Sequence, residues 1–94
     1  MMCAKLTFEM RNYDLSDSTD LELLKSDFEA FKPRDWQNLI DFSMDEKNQG
    51  KVSYEERGCL ITVRKKALSK SYPAYRLMVW ALNIADKVEE MMES

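Results

Sequence analysis

The stretch Val52-Ser53-Tyr54-Glu55-Glu56-Arg57-Gly58-Cys59-Leu60-Ile61-Thr62-Val63-Arg64 decides the fold class. Val52 and Tyr54 precede a polar segment ending at Gly58, and the β-branched run Ile61-Thr62-Val63 follows it. β-Branched side chains favour strands, and a glycine between two such runs reads as the turn of a hairpin. A type I turn over Glu56-Arg57, with Gly58 left-handed in a bulge, closes it. Cys59, Ile61 and Val63 then share one face, with Leu60, Thr62 and Arg64 opposite. On this reading the chain contains a sheet.

The same alternation appears at the N-terminus. In residues 4–12, Leu6, Phe8 and Met10 alternate with Lys5, Thr7, Glu9 and Arg11, the pattern of a half-buried strand. A helix follows, opened by a Thr19-x-x-Glu22 capping box and carrying Leu21, Leu24, Phe28 and Phe31 at helical spacing. Pro33 ends it and starts a second helix over 34–45, with Trp36, Leu39, Ile40 and Ser43 along one side. Asn48-Gln49-Gly50 is a turn. Ser71 and Pro73 open a last helix with Leu77, Ala81, Ile84, Val88 and Met91 as its apolar stripe. Met78, Val79, Trp80 and Leu82 widen that stripe nearly all round, which suits the centre of a core or a homodimer interface. The expected order is β-α-α-β-β-α, an α+β fold in which a small three-stranded antiparallel sheet carries helices on one face. Residues 1–94 are expected to form a single domain.

Composition excludes several kinds of chemistry. The chain has no histidine, which removes the commonest general base and metal ligand together. Serine and cysteine triads that use histidine are therefore impossible. Cys3 and Cys59 are too few for a structural zinc site or a disulfide framework. They read as free thiols of a reducing compartment, a single bridge between them being the alternative. No apolar signal segment opens the chain, and Leu77–Ala85 is the longest uncharged run of the last helix, far short of the ~20 residues needed to cross a bilayer. The expectation is a soluble cytoplasmic protein, not an enzyme, with no cofactor, no metal and no membrane contact.

One segment tests as a metal loop. From Asp45 to Glu56, the spacing of Asp45, Gly50, Val52, Ser53 and Glu56 resembles the calcium loop of an EF-hand. Lys47 stands where an oxygen ligand is needed, Gln49 is a weak neutral ligand, and the expected strand after Gly58 opposes an exiting helix. The loop therefore reads as a turn, not a calcium site.

Charge is the remaining signal. The net charge is −3, yet Arg57, Arg64, Lys65, Lys66, Lys70 and Arg76 lie in a stretch with no acid before Asp86. Ten carboxylates lie between Asp14 and Glu46. Such a division speaks about partners more than about fold. It supports a non-enzymatic protein-binding module that acts stoichiometrically. A small acidic inhibitor or antagonist fits, in the manner of immunity proteins, antitoxins and phage antagonists. In this reading Asp17, Asp20, Asp35, Asp41, Asp45 and Glu46 steer a basic partner such as a nuclease or toxin, and Trp36 anchors it. The alternative is a nucleic-acid-binding module, with Arg64, Lys65, Lys66, Lys70 and Arg76 on phosphates and Tyr72 and Tyr75 stacking on bases. Lys70 and Arg76 flank the start of the last helix while Glu89, Glu90 and Glu93 crowd its end, both against the helix dipole. These charges either answer the chain's own acids or face another molecule.

Overall fold

The structure, a computed structural model, describes residues 11–48 and 50–93. The described residues form four α-helices, α1 (Ser18–Ala30), α2 (Pro33–Met44), α3 (Tyr54–Leu68) and α4 (Tyr75–Glu93), with a short 3-10 turn at Glu46–Asn48. Among the described residues there is no strand, so the expected α+β order and three-stranded sheet are wrong. The first expected strand lies mostly outside the described residues, and Arg11 and Asn12 are irregular.

The expected hairpin is α3, one unbroken helix of 15 residues. Its start is an Ser53-x-x-Glu56 capping box: the Ser53 hydroxyl accepts the Glu56 N–H at 3.1 Å, and the Glu56 carboxylate accepts the Ser53 N–H at 2.8 Å. Glu55 and Glu56 occupy the positive end of the dipole, and Lys65 and Lys66 the negative end. Leu60, Val63 and Ala67 fall on one side at helical spacing, with Leu60 and Val63 fully buried and Ala67 half-buried. Against this, Ile61, Thr62 and Val63 each cost a helix a few tenths of a kcal/mol and Gly58 about 1 kcal/mol. Burying Leu60 and Val63 alone contributes roughly 3–6 kcal/mol, so packing outweighs propensity. Gly58 does not have positive φ, so no left-handed bulge exists there.

The other helices need smaller corrections. Asp17, not Thr19, caps α1, its carboxylate accepting the Thr19 N–H at 2.8 Å. Pro33 is the first residue of α2, and Trp36, Leu39, Ile40 and Ser43 are its buried side. Ser71 and Pro73 precede α4 instead of opening it. Within α4, Met78, Ala81 to Ala85 and Val88 are buried, because this helix packs against α1, α2 and α3 together. The Met78–Leu82 band expected to serve a core or a homodimer thus faces the chain's own core, leaving Trp80 as its exposed member.

Residues 11–13 are tied across α4. The buried Asn83 amide accepts the Arg11 N–H at 2.5 Å and donates to the Arg11 carbonyl at 3.3 Å. The Arg11 guanidinium makes a two-point contact with Asp86, at 2.7 and 3.0 Å, and lies 3.5 Å from Asp27. The Tyr13 hydroxyl donates to Asp27 at 2.5 Å, closing a link from α4 to α1.

Candidate functional site

The acidic candidates are largely spent on the chain's own turns. Asp17 caps α1, Asp20 accepts the Asp14 N–H, and Asp35 accepts the Lys32 N–H at the start of α2. Asp41 accepts from the Gln37 amide, and Asp45 from the Lys47 N–H. Glu46 is exposed at the 3-10 turn. Trp36 is fully buried, stacked on Phe31 at 4.7 Å between ring centroids and tilted against Phe28 at 5.8 Å. No partner can reach it without opening the core. The acidic residues and Trp36 therefore do not form one surface with an apolar anchor.

The basic stretch is placed differently. Ion pairs among the described residues join Arg11 to Asp27 and Asp86, and Lys87 to Glu56. None involves Arg64, Lys65, Lys66, Lys70 or Arg76, so these cations have no acidic partner among the described residues. Successive residues of a helix point about 100° apart, so Arg64, Lys65 and Lys66 fan around α3 and do not line up. Tyr72 and Tyr75 are partly exposed, yet the Lys25 amine sits 5.5 and 5.8 Å from their ring centroids. The Tyr72 hydroxyl donates to the exposed Glu29 carboxylate, and that contact raises the phenol pKa. The two stacking rings of the nucleic-acid reading thus already face a lysine and a carboxylate.

A face that the sequence reading did not foresee lies on the outside of α3. Tyr54, Ile61 and Leu68 are 79, 37 and 56 % exposed. They stand seven residues apart, two helical turns, and so fall in one line about 21 Å long. Arg57 and Arg64 flank that line on one side, and Gly58 and Lys65 on the other. The Arg57 guanidinium donates to the Val52 carbonyl at 3.0 Å. Reading this segment as two strands concealed the face, because alternation put Ile61 on one face with Cys59 and Val63, which are buried.

At the far end of the line, Leu68 joins the wall of a groove of about 550 Å³ between the α1–α2 corner and the α3–α4 loop. Phe28, Phe31 and Ala67 supply apolar lining, and two lysines, Lys32 and Lys70, join it. Phe31 also lines a smaller cleft of about 310 Å³, to which Asp35 and Glu89 contribute carboxylates. Burial and the nearby Asp86 raise the Glu89 pKa above the ordinary carboxylate value.

The calcium-like loop sits between two helices after all, since α3 follows it. Its two terminal carboxylates are engaged, however: Asp45 by the Lys47 N–H, and Glu56 by Ser53 and by the Lys87 amine at 3.1 Å. Among the described residues no group of three acidic or cysteine side chains is disposed to hold a metal ion. Cys59 is a buried free thiol, and burial pushes its pKa up to about 12, so it is not a ready nucleophile. Cys3 lies outside the described residues. No described helix is long and apolar enough to cross a membrane. No protein-family model matches the chain, nor does any curated protein or solved structure.

Proposed function

We propose that the chain is a non-enzymatic protein-binding module, an inhibitor or adaptor, whose contact surface is the outer face of α3. The partner segment is acidic and amphipathic, and binds by laying a helix along the line from Tyr54 to Leu68. The observation that carries this reading is the combination on one helix: cations without a counter-charge among the described residues, beside large apolar side chains left in water. Apolar contact supplies affinity, and Arg57, Arg64 and Lys65 set orientation and on-rate. The basic-partner version, in which Asp17 to Glu46 steer, loses its anchor with the burial of Trp36.

The test uses a glutamate-rich amphipathic peptide of about 14 residues, long enough to span the face. Its binding is followed by fluorescence anisotropy at two salt concentrations. The peptide binds at low salt, weakens as salt rises, and loses at least about tenfold in affinity to Ile61→Glu/Lys65→Glu. Both positions are exposed, so the variant keeps the fold, with a melting temperature lowered only by the ~0.3–1 kcal/mol that a carboxylate costs near the α3 C-terminus. Equal binding by wild type and variant overturns the reading. A single-stranded oligonucleotide run in parallel tests the nucleic-acid alternative. Tight, steeply salt-dependent oligonucleotide binding without peptide binding would favour Arg64, Lys65, Lys66, Lys70 and Arg76 as phosphate ligands.

A further inference from the structure

The groove beyond Leu68 is continuous with the proposed contact face, since Leu68 belongs to both. Its volume of about 550 Å³ falls in the range of pockets that hold a small ligand or one large side chain. Its lining is mixed in a specific way. Phe28, Phe31 and Ala67 offer apolar walls, while two lysines, Lys32 and Lys70, join the lining from different parts of the chain. Among the described residues Lys70 has no ion pair, and the Lys32 amine reaches only the Glu29 carbonyl, at 3.4 Å. Glu29, the one carboxylate in the lining, already accepts the Tyr72 hydroxyl.

Lys70 adds an independent observation. It occupies the left-handed region, with φ 57°, at the position after the α3 cap where glycine is the unstrained choice. The Lys70 and Ser71 N–H groups donate to the Ala67 and Lys66 carbonyls, the complete Schellman pattern. Nothing within the described fold uses the Lys70 amine. The chain therefore holds a lysine at the groove at some backbone cost.

We infer that this groove receives an apolar, aromatic side chain of the acidic partner segment, with an adjacent carboxylate of that segment on Lys32 and Lys70. The inference rests on the α3 reading and names the feature that the partner must carry. An aromatic anchor in a pocket, beside a charge-assisted contact, is the arrangement from which a few residues dominate binding.

Two probes separate the inference from the reading on which it rests. The first is N-acetyl-tryptophan, titrated into the isotope-labelled full chain and followed by amide chemical shifts, with N-acetyl-tryptophan amide and acetate as controls. N-Acetyl-tryptophan produces saturable shifts confined to residues 67–72 and 31–33, and binds at least about fivefold tighter than its uncharged amide. Lys70→Gly, which relieves the left-handed backbone, brings the acid down to the level of the amide. Absent or scattered shifts, or equal binding of acid and amide, overturn the inference. The second probe is the glutamate-rich peptide with either tryptophan or alanine at the end that meets Leu68. Tryptophan strengthens binding to the wild type and gives no advantage with Lys70→Gly. If both peptides bind equally and Ile61→Glu/Lys65→Glu weakens both, the groove inference falls and the α3 reading stands. If neither peptide binds, both fall.

Discussion

Lys70 shows how one backbone angle separates a residue's structural cost from its use. An L-residue in the left-handed region loses roughly 1 kcal/mol there, whereas glycine pays nothing sterically but loses more freedom on folding. The two Schellman hydrogen bonds come from backbone groups and survive the substitution. Lys70→Gly should therefore raise stability by roughly 0.5 kcal/mol, a shift of a few degrees in melting temperature for a domain of this size. Thermal denaturation checks this, and a fall in melting temperature would mean that the amine has an internal role. Trp36 sets a contrasting case. Its indole N–H is buried with no hydrogen-bond partner among the described residues. Trp36→Phe leaves a small void but removes that unpaired donor, which costs about 1–3 kcal/mol where it stands. Its net loss in chemical denaturation is expected to be well below the ~3–5 kcal/mol of Trp36→Ala.

At the scale of elements, α3 is where local and tertiary signals disagree. Gly58 sits inside the helix, is exposed, and a Cβ added there would meet nothing within 4 Å. Gly58→Ala should stabilise the chain by roughly 0.5–1 kcal/mol, read as a higher denaturant midpoint with an unchanged slope. If the partner helix of the proposed function crosses close to the backbone at Gly58, the larger Gly58→Gln keeps the fold and weakens the peptide complex. The same residue explains the misreading of the segment. Gly58 and Ile61-Thr62-Val63 are strand and turn signals, but they state preferences worth tenths of a kcal/mol to about 1 kcal/mol. The Ser53-x-x-Glu56 box and the spacing of Leu60, Val63 and Ala67 were visible in the sequence and point to a helix. In α2, Trp36, Leu39, Ile40 and Ser43 were legible as one buried side because every signal agreed, from Pro33 at the start to the period. Trp36 was legible as an apolar member of that side, but whether it faced the core or a partner depended on Phe28 of α1 and Phe31 packing against it. The line Tyr54, Ile61, Leu68 became visible only once α3 was known to be one helix.

For the molecule as a whole, α4 is the hub, and two glutamates on its surroundings respond to pH with opposite signs. Glu56 on α3 is partly buried, which pushes its pKa up, but the Ser53 N–H and the Lys87 amine outweigh this and leave it below the ordinary value of 4.5. Unfolding removes those partners, so the unfolded chain takes up the proton more readily. The stability contributed by Glu56 is present above pH ~4.5 and is lost as pH falls through its lowered folded value. Glu89 on α4 is the reverse. Burial raises its pKa, and Asp86, Glu93 and Asp35 add to the effect against the opposing pull of Arg11. The folded chain then holds the proton more tightly than the unfolded one, and stability falls as pH rises through the raised folded value. At neutral pH the ionised Glu89 is a standing cost, added to its position near the negative end of the α4 dipole. Glu89→Gln should thus stabilise the chain at pH 7 by a few tenths of a kcal/mol, reduced by salt because the side chain is only partly withdrawn from water. The gain should vanish near pH 3, where the wild-type group is already protonated. Glu56→Gln should do the opposite at pH 7, costing up to about 1 kcal/mol as the Lys87 pair is lost, with the cost shrinking in acid. Denaturant midpoints of the three proteins from pH 3 to pH 7 decide the matter. Curves that run parallel to wild type across that range would show that neither carboxylate is coupled to folding.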